Sequence, residues 1–272
     1  MSRSRNKPYH HGDLKRALLE AAKRLLEFEG TDALSFRRLA ELVGVSHAAP
    51  LAHFPDRRCL DASLASQGFR ELQDRLKAAS PGGRPPAAGG FQPLKPLQEE
   101  DREKPQPGAP EWRLASPSQP AYFHAAAAPV PSRAAFPPPR GREPGKYGAR
   151  LAATFLAYLR FAFEHPGLFR AMHAPALAEA AGSPDPGDQA AACLLELQQE
   201  RAEAASVFAD LVALGQKAGE FRGDLPPERV GRLWTALAEG LAHQYLAEGG
   251  TGPGRLKEAE QLFGLLLQSL TE

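Results

Sequence analysis

The stretch Ser35–Leu60, SFRRLAELVGVSHAAPLAHFPDRRCL, decides how the chain is read. Ser35 is a residue type that caps a helix by accepting from a free backbone N–H. Leu39, Ala40 and Val43 then recur at helical spacing up to Gly44, which is expected to end the helix. Beyond the Gly44-Val45 joint, Ser46 is a second cap, and a third helix is expected to run to about His53. Two short helices joined in this way make a helix-turn-helix. Pro50 is the fourth residue after Ser46, one step past the positions where proline is harmless, so this third helix is expected to be short or kinked.

A helix laid in the major groove needs small residues where its backbone comes close and polar ones where it reaches bases or phosphates. Ser46, His47, Ala48 and Ala49 form such a leading turn, and Pro50, Leu51 and His53 complete the candidate DNA-binding set, His53 being read mainly as a packing residue. Arg37 and Arg38 before the turn, with Arg57 and Arg58 after it, are candidate phosphate anchors. Residues 1–60 hold eleven Lys/Arg against seven Asp/Glu, a balance of +4 that the rest of the chain reduces to +1. A basic N-terminal part on a mildly acidic body fits a polyanionic partner, although a solvated charged surface gives the same count.

Outward from this stretch the pattern is helical. Leu14, Leu18, Ala21, Leu25 and Phe28 follow Asp13, a candidate cap, and lead to Gly30, which is expected to stop the helix in the left-handed conformation. A fourth helix from about Asp56 carries Leu60, Leu64, Leu72 and Leu76. Sixteen of the 26 prolines then fall between Pro81 and Pro144, which excludes a long helix or a central strand. Residues 80–146 are therefore expected to be a disordered or polyproline-like linker, with room for a short helix at Ala125–Ala128 and a dispensable role in folding.

After the linker, Leu151, Phe155, Tyr158, Leu159 and Ala162 predict a helix that Pro166 ends or kinks. A short helix is expected over Leu168–Ala180, a long one over Asp188–Gly219, and another after Pro226 and Pro227 carrying Val230, Leu233, Trp234, Leu237, Leu241 and Tyr245. Leu256, Ala259, Phe263, Leu266 and Leu270 form a stripe in the last helix, and dimerisation is expected to run through the last two helices. No strand pattern competes, so the fold class is all-α.

The sequence also excludes much. No apolar run is long enough to span a bilayer and no signal peptide is visible, so a cytoplasmic chain with no membrane partner is expected. Cys59 and Cys193 lie far apart and form no Cys-x-x-Cys pair, so both are read as small core residues, with neither a disulfide framework nor a zinc site. His10, His11 and Asp13 offer no third ligand at fixed spacing, and no metal or cofactor is expected. There is no phosphate loop, nucleophile elbow, His-Glu-x-x-His or di-iron Glu-x-x-His pair, so catalysis is not expected.

Ser35–Leu60 closely resembles the helix-turn-helix of the tetracycline-repressor family of bacterial regulators. YHHGDLKRALLEAA at Tyr9–Ala22 and GVSHAAP at Gly44–Pro50 are similar to one branch of it. Trp234 with Glu239-Gly240 resembles that branch's C-terminal Trp, His-Gly motif, with Glu239 where histidine is usual. The resemblance is strong over residues 7–78, weaker over 147–248 and absent from 80–146. Arg57 stands where the family usually has a phosphate-binding lysine, Leu51 where a phosphate-touching tyrosine is usual and Ala52 where arginine is often found, which implies weakened DNA contacts. Arg3, Arg5 and Lys7 are placed to compensate in the minor groove or simply to be solvated.

The resemblance implies a DNA-binding domain at residues 1–56, a connecting helix at 57–79, and an effector-binding and dimerisation domain at 147–272. It implies a regulator, most simply a repressor, whose homodimer leaves a palindromic operator when a small apolar effector binds. Phe155, Tyr158, Phe161, Phe163, Phe169, Met172, Phe208 and Trp234 are candidate pocket residues, most of them expected to be plain core. Glu239 and His243 lie on one helix face and are candidate ligand contacts, with an ordinary intrahelical pair as the simpler reading. The competing reading of the whole chain is a helical protein-interaction module with weakened or lost DNA binding.

Overall fold

The computed structural model describes residues 11–79, 145–174, 177 and 190–271. The chain divides into two units, Met1–Gly89 with Gly141–Glu272, and Gly90–Arg140, and the second lies outside the described residues. So do almost all of the proline-rich stretch, the basic residues at 3–7, His10 and the loop expected at Gly182–Gly187, as do the side chains of His11 and Asp13.

Among the described residues the fold is all-helical, with eight α-helices and no strand. They are α1 (His11–Phe28), α2 (Phe36–Val43), α3 (Arg57–Ala79), α4 (Lys146–Glu164), α5 (Pro166–Met172), α6 (Ala191–Lys217), α7 (Pro227–Ala247) and α8 (Pro253–Thr271). Local chemistry sets most of these boundaries. Ser35 Oγ accepts from the Arg38 N–H at 3.2 Å to start α2, and Gly44 ends it as expected, in the left-handed region at φ 75° and ψ 37°. Asp56 Oδ1 accepts from the Cys59 N–H at 2.9 Å and opens α3. Pro166 and Pro227 occupy first-turn positions where a missing N–H costs nothing.

Several expectations need correction. Gly30 has a φ of 84° but a ψ of −177°, a conformation open essentially to glycine alone and not the left-handed cap expected. Phe28, read as part of the apolar stripe of α1, is exposed. The third helix of the helix-turn-helix is not an α-helix: a turn at 47–49 runs into a 3-10 turn at Pro50–Ala52 with no side-chain cap. Pro50 has no N–H to offer the Ser46 carbonyl, which accepts from Ala49 at 2.9 Å instead, so the tighter bonding pattern wins. The short helix expected to reach Ala180 closes at Met172.

α3 is the spine of the described unit and packs against α1, α4, α5 and α6. Leu60, Leu64, Phe69, Leu72 and Leu76 bury one face of it, each large side chain contributing about 1.5–3 kcal/mol. α1 is fastened to α3 by the buried Lys23, whose Nζ donates to Glu71 at 2.6 and 2.8 Å, and by Gln67, which donates to Glu20 at 2.9 Å. α6 crosses α7 closely enough that a Cβ on Gly231 would collide with the Ala209 backbone.

Two further expectations fail in the packing. Cys59 and Cys193 are joined in a disulfide, with Cα atoms 5.3 Å apart across 134 residues of sequence. Each lies on the first turn of its helix, and α3 and α6 lie side by side, so sequence distance was no guide to spatial distance. The α8 stripe is not one surface either. Of its residues Ala259, Phe263 and Leu270 are buried within the subunit and Leu266 is exposed, together with Leu262 and Leu265, which the stripe did not include.

Candidate DNA-binding face and cavity

The turn that replaces the third helix presents Ser46, His47, Ala48 and Leu51 to solvent, with Ala49 and His53 half-buried and Pro50 buried. Leu51 is 51% exposed. Around this surface every candidate phosphate anchor is already engaged. Arg37 Nε donates to Glu41 at 3.0 Å, Arg38 lies 3.6 Å from Glu29, and Arg58 donates to Asp56 at 2.9 and 3.1 Å. Arg57 is held most firmly, with Nε donating to both Asp61 oxygens at 2.7 and 2.9 Å and Nη1 donating to the Leu34 carbonyl. The hydrogen bond from Arg37 holds the Glu41 carboxyl below its ordinary value, while burial pushes that of Asp61 up against the pull of Arg57.

A cavity of about 320 Å³ lies in the C-terminal part, walled by Phe69 and Leu72 of α3, Tyr158 of α4, Ala204 and Ala205 of α6, and Thr235 and Ala236 of α7. Its polar groups are Arg201, Arg232, Glu239 and His173, the residue that closes α5. Arg201 and Arg232 form no ion pair among the described residues, in contrast to the four arginines of the helix-turn-helix. Burial and the Glu239 charge push the Tyr158 hydroxyl well above the usual tyrosine range, so it remains a phenol. The Glu239 carboxyl is lowered in spite of its burial because His173 and Arg201 stabilise its charge.

Of the expected pocket residues, Tyr158 and Glu239 line the cavity. Phe155, Phe169, Met172, Phe208 and Trp234 are buried in the core, as are Phe161 and, in part, Phe163. Phe155, Trp234 and Phe263 form a ring cluster with centroids 4.6–6.0 Å apart, and Phe169 stacks against His173 at 4.7 Å and His243 at 4.9 Å. Glu239 turns to His173 Nδ1 at 3.0 Å, so the intrahelical Glu239–His243 pair is not its main contact.

A family model described as bacterial regulatory proteins, tetR family, matches residues 18–60, and one described as tetracyclin repressor-like, C-terminal domain, matches residues 151–270. The chain belongs to the tetracycline-repressor family. No curated protein matches it. Among solved structures it is similar to a protein of unknown function from Rhodococcus sp. RHA1, at 25% identity and a TM-score of 0.57, over 98% of this chain and 100% of that one. It is also similar in fold to a bacterial regulatory protein of the tetR family from Rhodococcus RHA1, at 14% identity and a TM-score of 0.55, over 95% and 97% of the two chains.

As a tetracycline-repressor family member the chain is a DNA-binding transcriptional regulator, and among its described residues no helix is long and apolar enough to cross a membrane. Reading the sequence missed His173, Arg201 and Arg232. Only His173 left a trace, a histidine ending a short apolar helix. The two arginines look like any solvated charge on a long helix until α6 and α7 are placed together.

Proposed function

We propose that this tetracycline-repressor family regulator is a homodimeric repressor released from a palindromic operator when a small molecule fills the cavity. The observation that carries this reading is α5. At its first turn the Gly167 and Leu168 N–H groups donate to the Glu27 carboxylate of α1 at 2.9 and 3.0 Å, and a Cβ on Gly167 would collide with the Leu26 carbonyl. Its last turn leads to His173 at the cavity wall. One short, rigid element thus touches both the helix that supports the helix-turn-helix and the space available to an effector. An occupant whose size or charge moves His173 favours one placement of α1 over another, and it shifts the DNA-binding equilibrium by its difference in affinity for the two states.

Arg201 and Arg232, which form no ion pair among the described residues, stand beside an apolar wall and favour an occupant with an apolar body and an acidic group over the purely apolar one expected. The exposed Leu262, Leu265 and Leu266 of α8 are the surface offered to a second copy. Selection of bound fragments from genomic DNA by the purified protein tests the regulator reading. A shared palindromic sequence is expected. Recovery of no preferred sequence, with no salt-dependent affinity for any fragment, would return the chain to the helical interaction module.

A further inference from the structure

Glu239 and His243 are four residues apart on α7, a spacing that sets two side chains on one helix face. His173, at the end of α5, approaches the same face, and one donor atom from each of the three residues lies within 4.8 Å of the others. The His173 side chain is only 3% exposed, yet its Nδ1 makes no hydrogen bond: Glu239 Oε1 is 3.0 Å away but off the line a ring N–H would need. The other ring nitrogen, Nε2, lies 3.5 Å from the Tyr158 hydroxyl. With the ring proton on Nε2, the Nδ1 lone pair faces the Glu239 carboxylate, an arrangement that a proton or a metal cation held between the two relieves.

We propose that His173, Glu239 and His243 bind one divalent transition-metal ion of the zinc class. Two imidazole nitrogens and one carboxylate oxygen are a donor set such ions accept, whereas magnesium and calcium take oxygen donors almost throughout. Metal–ligand bonds of about 2.1 Å place tetrahedral donors about 3.4 Å apart. The Nδ1–Oε1 separation is already shorter than that, and the exposed His243 is the donor that must move inward within the 4.8 Å limit. Nε2 directed at the Tyr158 hydroxyl is the outer hydrogen bond that orients a metal-bound histidine. Three protein donors leave a coordination position open, and His173 and Glu239 both line the cavity, so a water or an acidic group of the cavity's occupant completes the set. Arg201 and Arg170 lower the affinity for a cation and raise it for such an anionic fourth ligand.

The site shares its cavity with the effector reading, but its test involves no DNA, so the two fail separately. Full-length protein without an affinity tag is stripped with chelator, dialysed and titrated with Co2+ as a spectroscopic probe. One equivalent per chain is expected to saturate a visible absorption band, and Zn2+ is expected to displace it. Glu239→Gln and His243→Ala should each weaken binding by about tenfold or more. His10→Ala with His11→Ala should leave it unchanged. His243 is exposed, so its variant folds and decides the matter alone if the other loses helicity. The absence of a saturable band, binding that survives His243→Ala, or binding lost with His10 and His11 would each overturn the proposal.

Discussion

Arg37 is the most exposed of the four helix-turn-helix arginines, at 79%, and even it is tied to a carboxylate one turn along α2. A phosphate must therefore compete with Glu41 for it, and an exposed i,i+4 pair of this kind is screened by solvent and weak, so the exchange is easy. Glu41→Gln is expected to raise DNA affinity a few-fold on all sequences without changing which is preferred, as fluorescence anisotropy at several salt concentrations would show. Unchanged or weaker binding would mean that Glu41 orients Arg37 instead of occupying it. Arg57 differs, because its bond to the Leu34 carbonyl braces the loop before α2 as well as pairing with Asp61. His165 is a second residue with a readable consequence. Burial, with the charges of Lys23 and Arg75, lowers its pKa from 6.5 to about 4, and Arg75 Nη2 donates to its Nε2 at 2.9 Å, which requires a neutral ring. Between those two values the unfolded chain binds the extra proton, so stability falls with pH by up to about 1.4 kcal/mol per unit. Urea unfolding at pH 7 and pH 5 is expected to show this loss in the wild type and less of it in His165→Asn. Equal losses in both would assign the effect to other groups.

At the scale of elements, the cap at Ser35, the stop at Gly44, a helix start near Asp56 and the break at Pro166 were legible because each acts through its own backbone neighbourhood. The turn at Ser46–Ala52 was only half legible. Pro50 announced a disturbance, but the choice between a kinked α-helix and a 3-10 turn depends on which N–H takes the Ser46 carbonyl, a competition that residue types do not decide. The cavity was harder still. Phe155, Phe169, Phe208 and Trp234 have the composition of a pocket wall but fill the core, and the actual wall is built from alanines and arginines whose relation depends on how α6 meets α7. Glycines test these contacts directly. Gly167→Ala pushes a methyl group into the α1 backbone and is expected to cost about 1–3 kcal/mol, whereas Gly240→Ala, with open space at its Cβ, should stabilise α7 by up to about 1 kcal/mol. Thermal unfolding of the two variants separates them, and a neutral Gly167→Ala would show that α1 and α5 yield easily.

For the whole molecule, the Cys59–Cys193 bond ties the start of α3, next to the helix-turn-helix, to the start of α6. Opening it is expected to cost about 2–4 kcal/mol and to lower the melting temperature by roughly 5–15 °C. Melting with and without reductant, beside the Cys193→Ser variant, measures this, and a reductant-independent Tm with two titratable thiols would mean that the cysteines are apart. Nothing in two cysteines 134 residues apart could have revealed the bond, which follows from helix packing. The proposed dimer face was legible as a helix and not as a surface, because a spacing of three and four serves a subunit's own core as well as a partner's. Leu262→Glu with Leu266→Glu should yield monomers in sedimentation while preserving the fold, and Leu270→Glu should unfold it. The clasp of α5 between Glu27 and His173 has a consequence that runs in the opposite direction to induction. Free energy is a function of state, so whatever factor an occupant of the cavity removes from DNA affinity, DNA must remove from the cavity's affinity for that occupant. Under the proposed function, protein seated on DNA is thus the least sensitive detector of that occupant, and protein free of DNA takes it up first.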